Sequence, residues 1–164
     1  MANQDNKCKD LAVDNVYKEL GYDTGSNSLA DLFNLQAKTQ KMYQDKQGKK
    51  NFKDYTIGDL VDFTMINNHA IIDELHEMVD AMGGIDDGVG NAAWKPWKEK
   101  NKEARNLKLS DLSASDLKEL KMEWIDVMHF VFNSGLAIGV TPEEFYNLYI
   151  SKNKANWSRQ ENNY

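Results

Sequence analysis

Apolar residues recur along this chain mostly at the spacing of an α-helix, and strand-like alternation is scarce. One apolar face, with Ser28 as the capping residue, predicts a helix over residues 29–43. A weaker helix is predicted over residues 10–20, and the polar, lysine-rich residues 45–54 are predicted to form a loop. The N-terminal third is therefore expected to contain helices joined by polar segments.

Two longer helices are predicted from their start and stop signals. Thr56 with Asp59, and Ser113 with Asp116, each have the spacing of an N-terminal capping pair. The first helix is predicted to end near Met82, and the second near Ile138, because glycines follow both positions.

Shorter segments complete the predicted elements. Residues 84–93 are glycine-rich and read as a flexible loop, and the charged residues 94–108 are predicted to be largely helical. Thr141 followed by Pro142 is a strong helix start, and that helix is predicted to run to about Ala155. The pattern as a whole predicts an all-α protein.

The length of 164 residues is that of one domain with a core of its own. We expect residues 1–27 to be a variable N-terminal segment and residues 28–164 to form a single all-α domain. No apolar run approaches the roughly 18 residues that a membrane-spanning helix needs, so no membrane partner is expected.

The net charge of −6 argues against a nucleic-acid partner, which would require a basic surface. The single cysteine, Cys8, permits no internal disulfide, and the N-terminal residues lack the apolar core of a signal peptide. We therefore expect a cytoplasmic protein.

Two pairs of carboxylates are the clearest candidates for chemistry. Glu74 and Glu77 lie one turn apart on the first long helix, and Glu123 and Asp126 lie one turn apart on the second. Each pair is set among apolar positions, where a carboxylate is costly unless it is paired or binds a cation. Four converging carboxylates would form an oxygen-only site suited to Mg²⁺ and to phosphate substrates. Asp73, next to Glu74, would add a fifth carboxylate at the edge of this site. The alternative is that these acids are simply solvated.

A second candidate site combines aromatic and basic residues next to the glycine-rich loop: Trp94, Lys95, Trp97 and Lys98. Two tryptophans and two lysines could stack on a base and hold phosphate. The alternative is a short amphipathic segment that packs its tryptophans into the core.

Further candidates lie near the two ends of the predicted domain. Lys152, Asn156 and Arg159 would share one helix face and could bind a triphosphate or a base edge, although a charged helix end is often only solvated. Gln36 lies on an apolar face, where its amide could read a pyrimidine or could be a satisfied polar group between helices. His129, one turn after Asp126, could orient that carboxylate or be structural.

Taken in order, these motifs resemble those of the all-α dimeric dUTPases, part of the MazG-like nucleoside triphosphate pyrophosphohydrolases. Within that group the chain looks similar to the dCTPases and dUTPases of T-even-like phages. Residues 121–160 carry most of the resemblance, which extends from about residue 29 to the C-terminus. The resemblance implies a MazG-like helical bundle, a homodimer, and Mg²⁺-dependent hydrolysis of dUTP or dCTP to the monophosphate and pyrophosphate.

The resemblance also implies roles for individual residues. The acids of the two pairs would bind the metal and act in catalysis, with Glu74 or Glu77 polarising the attacking water. The Trp-Lys segment would lie over the substrate, the lysine, asparagine and arginine near the C-terminus would contact it, and Gln36 would face the pyrimidine.

One departure concerns the residues that follow Gln36. Many dimeric dUTPases have an asparagine shortly after this glutamine, whereas here residues 37–40 are Ala-Lys-Thr-Gln. This leaves room for dCTP as a substrate. A broader house-cleaning pyrophosphohydrolase and a helical interaction or regulatory protein remain the alternatives at this point.

Overall fold

The computed structural model describes residues 28–86, 89–90 and 93–161. Five α-helices account for most of these residues. A short antiparallel ladder pairs Ile85 with Gly90 and Asp86 with Val89, and two 3₁₀ turns precede the long helices. In chain order the elements are α1 Ser28–Gln47, the turn Phe52–Asp54, α2 Ile57–Ala81, β1 Ile85–Asp86, β2 Val89–Gly90, α3 Lys100–Ala104, the turn Leu109–Asp111, α4 Ala114–Ala137 and α5 Pro142–Glu161.

The prediction of an all-α protein is confirmed, and both long helices begin at their predicted capping pairs. The Thr56 backbone N–H donates to the Asp59 carboxylate at 2.9 Å, and the Asp59 N–H donates back to the Thr56 hydroxyl at 3.2 Å. The Asp116 N–H donates to the Ser113 hydroxyl at 3.0 Å in the same way. These bonds satisfy backbone N–H groups that have no partner at the start of a helix.

Three predicted boundaries were wrong. Helix α1 continues to Gln47, so the start of the predicted loop is helical, and α5 continues beyond residue 155 to Glu161. Of residues 94–108, only Lys100–Ala104 form an α-helix. Pro96 accounts for the non-helical start of this segment, because proline has no N–H to donate and disfavours a helical conformation in the residue before it. The predicted helix over residues 10–20 lies outside the described residues.

Glycines end both long helices, as predicted. Gly84 and Gly139 each have a φ of 80°, a left-handed conformation that is strained for other residues. Their N–H groups bond back to Ala81 and Leu136 respectively. The chain can therefore turn sharply after each helix.

The chain divides into two compact units. The first contains Thr64–Val131 and so includes most of α2 and α4. Within it, the buried Asn67 side chain donates to the Phe130 carbonyl at 2.9 Å and links those two helices. Whether residues 28–164 act as a single domain stays a prediction.

The second unit contains the described residues of Tyr17–Phe63 and Phe132–Tyr164. Its centre is Phe33 on α1, whose ring meets those of Phe132 and Phe145 edge-on at 4.9 Å and 5.7 Å. Phe145 lies on α5, so this aromatic cluster packs α1 against α5. In the part of the chain that the structure describes, no helix is both long and apolar enough to cross a membrane.

Candidate metal centre and active site

Three carboxylates converge in the first unit. Glu74 of α2 and Glu123 and Asp126 of α4 each offer an oxygen within 4.8 Å of the other two. Glu74 and Asp126 are half-buried, and Glu123 is only 8% exposed. We refer to these three residues as the acidic cluster. The structure therefore brings together three of the four predicted metal ligands.

The fourth predicted ligand, Glu77, does not belong to the converging set and its side chain is exposed. It is nevertheless close enough to act on the cluster electrostatically. After desolvation, the charge of Glu77 is the largest contribution that raises the pKa of both Glu74 and Glu123. Its role as a metal ligand stays a prediction.

Burial and mutual repulsion raise the pKa values within the acidic cluster. Desolvation, followed by the charges of neighbouring acids, raises the pKa of Glu123 to about 7. The same causes raise the pKa of Glu74, and Asp73 contributes to this shift as the additional acid that the sequence indicated. Both shifts have the sign expected where buried like charges face one another.

The donor set fits a hard divalent cation. All its ligand atoms are carboxylate oxygens, which Mg²⁺ prefers over nitrogen or sulfur donors. A bound cation would also offset the repulsion that raises the pKa values of Glu74 and Glu123. In the described residues this is the only group of three or more potential ligands that converges in this way.

His129 lies beside one carboxylate of this cluster. Its Nδ1 is 3.4 Å from the Asp126 carboxylate, one turn away on α4. This is the position from which an imidazole can orient a carboxylate ligand. The orienting role considered for His129 is therefore geometrically available.

The Trp-Lys segment also lies in the first unit, in a loop and not in a helix; we call residues 93–98 the tryptophan loop. The Trp94 indole N–H donates to the Asp80 carboxylate of α2 at 2.6 Å. The Lys95 ammonium lies 4.3 Å from the centre of the Trp94 ring, and Trp97 meets that ring edge-on at 6.0 Å. Trp94 and Trp97 are 44% and 70% exposed, so the alternative of tryptophans packed into the core is wrong for this segment.

A cavity of about 410 Å³ is lined by residues next to the predicted acid pairs, since Met78 directly follows Glu77 on α2 and Trp124 directly follows Glu123 on α4. Its walls are apolar apart from two lysines, so its chemistry suits a ring of low polarity with an anionic group at the edge. The lining residues are Met78, Met82, Leu107, Lys108, Leu109, Leu112, Leu120, Lys121 and Trp124.

Gln36 lies in the second unit, where it is 8% exposed. Its side-chain N–H donates to the side-chain amide oxygen of Asn133 at 2.8 Å, and Asn133 is itself buried. This is the arrangement of a satisfied polar group between helices, which was one of the two possibilities for this residue. Its contact with a pyrimidine stays a prediction.

Lys152, Asn156 and Arg159 also belong to the second unit. All three lie on α5 and are exposed, and the helix continues far enough to include them. Spacings of four and three residues place them along one side of α5. They are accessible to a ligand, and their contact with substrate stays a prediction.

Two residues with clear hydrogen-bond partners in the structure were not predicted from the sequence. Asp80 bonds to the tryptophan loop. The sequence feature that indicates it is its position three residues after Glu77, which is itself three residues after Glu74. Asn133 bonds to Gln36, which lies 97 positions earlier in the chain, and no local sequence pattern predicts that contact.

Comparison with known proteins supports the resemblance that the motifs suggested. The chain is 37% identical over 111 residues to the dCTP pyrophosphatase of Enterobacteria phage LZ5, a match that covers 66% of this chain and 64% of that protein. It is 36% identical over 111 residues to the dCTP pyrophosphatase of Enterobacteria phage T4, covering 66% of this chain and 65% of that protein. A third relative is a DNA replication protein of phage T4, 35% identical over 101 residues, which are 60% of this chain and 26% of that protein.

The matched stretch thus spans slightly less than two thirds of the length of either pyrophosphatase. No protein-family model and no solved structure matches the chain. The predicted resemblance to phage enzymes of this type is confirmed by the two identities. Over this 111-residue stretch, the chain is a relative of the dCTP pyrophosphatases of T4-like phages.

Proposed function

We propose that this protein hydrolyses dCTP to dCMP and pyrophosphate with the help of Mg²⁺. The proposal rests on the acidic cluster, whose three carboxylates each place an oxygen within 4.8 Å of the other two. The names of the two phage relatives supply the substrate class and the products. A cluster of this kind next to an apolar cavity has the chemistry that a nucleoside triphosphate requires.

In the proposed reaction a water oxygen forms a bond to the α-phosphorus of dCTP. The bond from that phosphorus to the oxygen bridging the α- and β-phosphates breaks, and pyrophosphate leaves with the electron pair. The proton of the water passes to a carboxylate of the protein. Glu74 or Glu77 is the carboxylate that the resemblance implies for this role, and Glu74 lies in the acidic cluster where the reacting phosphate would be held.

The acidic cluster, joined by Glu77, would hold the metal. Mg²⁺, when bound there, neutralises phosphate charge and makes the phosphorus easier to attack. His129 would keep the Asp126 carboxylate in one orientation. Gln36 and the exposed α5 residues named above keep the substrate-binding roles that the resemblance implies, and these roles are predictions.

dUTP is the second substrate to test. The resemblance includes dUTPases, whereas the two curated pyrophosphatases are named for dCTP. The two bases differ where cytosine carries an amino group and uracil a carbonyl, so a single amide can favour one over the other. We therefore expect dCTP to be hydrolysed, with dUTP as the informative comparison.

A substrate panel tests the proposed function. The protein is incubated with each deoxynucleoside triphosphate in the presence of Mg²⁺ or of EDTA, and the products are separated by anion exchange. The expected result is dCMP and pyrophosphate in equal amounts, only with the metal. Release of dCDP and orthophosphate, or no release from dCTP and dUTP, would contradict the proposal. Efficient hydrolysis of purine triphosphates would indicate a broader pyrophosphohydrolase.

We further propose that the protein acts as a homodimer. Among the described apolar residues, only Phe33, Ala81 and Val127 are buried. Helix α2 leaves a stripe of large apolar side chains exposed, and α5 has no buried residue. Such surface is costly in water unless a partner covers it, and a second copy is the partner that the resemblance implies. The α2 stripe consists of Ile57, Val61, Met65 and Ile72, with Ile66 beside it.

A further inference from the structure

The indole of Trp94 is bonded directly to the helix that carries Glu74 and Glu77. Its N–H donates to the Asp80 carboxylate at 2.6 Å, and Asp80 lies in the last turns of α2. A hydrogen bond to an ionised acceptor is stronger than one between neutral groups. Asp80 lies six positions after Glu74, which corresponds to about 9 Å along the helix axis. The loop is thus attached within reach of a nucleotide whose phosphates lie at the acidic cluster.

Two other hydrogen bonds hold the backbone of the same loop. The Arg105 guanidinium donates to the Ala93 carbonyl at 2.7 Å, and the Asn101 side chain donates to the Lys95 carbonyl at 3.3 Å. Asn101 is fully buried. The backbone on both sides of Trp94 is therefore held by one residue of α3 and by the residue that follows α3, while the Trp94 side chain is held by α2.

The two tryptophans of the loop are not equivalent. Trp94 uses its only donor on Asp80, and the Lys95 ammonium lies over its ring. Trp97 packs edge-on against Trp94 at an interplanar angle of 85° and remains 70% exposed. Trp94 is thus placed to support its neighbour, and Trp97 presents an open aromatic face.

We propose that Asp80 is a positioning residue which, through Trp94, fixes Trp97 where it contacts the bound nucleotide. This inference rests on the proposed function and adds a residue to it that none of the metal or substrate motifs contains. Because Trp97 is held in place before the nucleotide binds, less conformational entropy is lost on binding. Loss of the support should therefore weaken substrate binding much more than it slows the chemical step.

Kinetics of four variants test this proposal. Asp80→Asn removes the charge of the acceptor, Trp94→Phe removes the donor and keeps an aromatic ring, and Asp62→Asn is a matched control on an exposed acid of the same helix. Asp80→Asn and Trp94→Phe should each raise the KM for dCTP about tenfold and change kcat by less than about twofold. The double variant should be no worse than either single variant, because both remove the same contact. Equal losses in kcat, unchanged KM values, or additive effects in the double variant would overturn the proposal.

A spectroscopic measurement tests the contact without using activity. The ¹⁵N-labelled protein has four tryptophan indole N–H signals, and Trp94→Phe identifies the one from Trp94. Asp80→Asn should move that signal upfield, and Asp62→Asn should leave it in place. A Trp94 signal that does not respond to Asp80→Asn would overturn the proposal even in an active enzyme. Failure of the wild-type protein to hydrolyse dCTP would instead count against the proposed function, and the signal would still report whether the contact exists.

Discussion

An oxygen of Glu74 on α2 lies within 4.8 Å of an oxygen of Glu123 on α4, although 49 positions separate them in the chain. Two buried or half-buried carboxylates at this separation repel each other, and both have raised pKa values. Proteins retain such an arrangement where a cation or a proton compensates for it. The activity and stability of the protein should therefore depend on this contact and on those that hold α2 and α4 in place.

Removal of one cluster carboxylate should abolish turnover. Glu123→Gln keeps the shape of the side chain but removes a ligand charge, and we expect the rate of dCTP hydrolysis to fall by about 100-fold or more. Glu74→Gln should have a similar effect. Glu103→Gln, on the exposed surface of α3, is the matched control and should retain wild-type activity. Wild-type turnover in both cluster variants would mean that these acids do not form the active site.

The metal-free protein should become less stable as the pH rises from 5 to 8. Because the pKa of Glu123 is raised from 4.5 to about 7, the folded state binds more protons than the unfolded state between these values. Its stabilising contribution is therefore complete below pH 4.5 and is lost as the pH rises through 7. The raised pKa of Glu74 acts in the same direction.

Thermal unfolding in EDTA at several pH values measures this effect. The Tm of the wild-type protein should fall toward pH 8, and Glu123→Gln should flatten the dependence because its side chain cannot titrate. Added Mg²⁺ should raise the Tm most at pH 8, where the carboxylates are ionised. An identical pH dependence in the variant would show that Glu123 does not titrate in this range.

The capping pair of α4 should contribute measurably to stability. Ser113→Ala removes the hydroxyl that accepts the Asp116 N–H, and we expect a loss of about 1 kcal/mol in the free energy of unfolding. Ser110→Ala, in the preceding 3₁₀ turn, is the control, because the Ser110 hydroxyl bonds to the Asp111 side chain and not to a helix N–H. Urea denaturation gives both values. Equal effects of the two substitutions would show that the cap does not stabilise α4.

The buried contact between Gln36 and Asn133 should show strong coupling. Asn133→Leu leaves the Gln36 amide buried without this acceptor and should cost about 1–3 kcal/mol. The double variant Gln36→Leu/Asn133→Leu should lose less than the sum of the single variants, because no amide is left unpaired. Additive losses in denaturant unfolding would mean that the bond makes no energetic contribution.

The exposed stripe on α2 should determine the oligomeric state. Ile66→Glu places a charge on a residue that is 71% exposed, and we expect it to convert a dimer into a monomer by light scattering. Met42→Glu changes a side chain with 72% exposure on α1, where Lys38, Lys41 and Lys46 surround it, and it should leave the dimer intact. A monomeric wild-type protein would contradict the proposed dimer.

Those parts of the fold that depend on neighbouring residues could be predicted from the sequence. The capping pair Thr56 and Asp59 and the acid pair Glu74 and Glu77 are local signals, and each lies where the sequence placed it. The position of the tryptophan loop could not be predicted, since it depends on Trp94 reaching Asp80 across 14 positions. The charged composition of that segment also suggested a longer helix than Pro96 permits.

The most direct test of the account is a calorimetric titration of the metal-free protein with Mg²⁺. The wild-type protein and Glu103→Gln should bind the ion with the same affinity at pH 8, and Glu123→Gln should lose most of that affinity. This result would support the acidic cluster as the metal centre. Unchanged Mg²⁺ binding in Glu123→Gln, or no binding to the wild-type protein with or without a non-hydrolysable dCTP analogue, would contradict it.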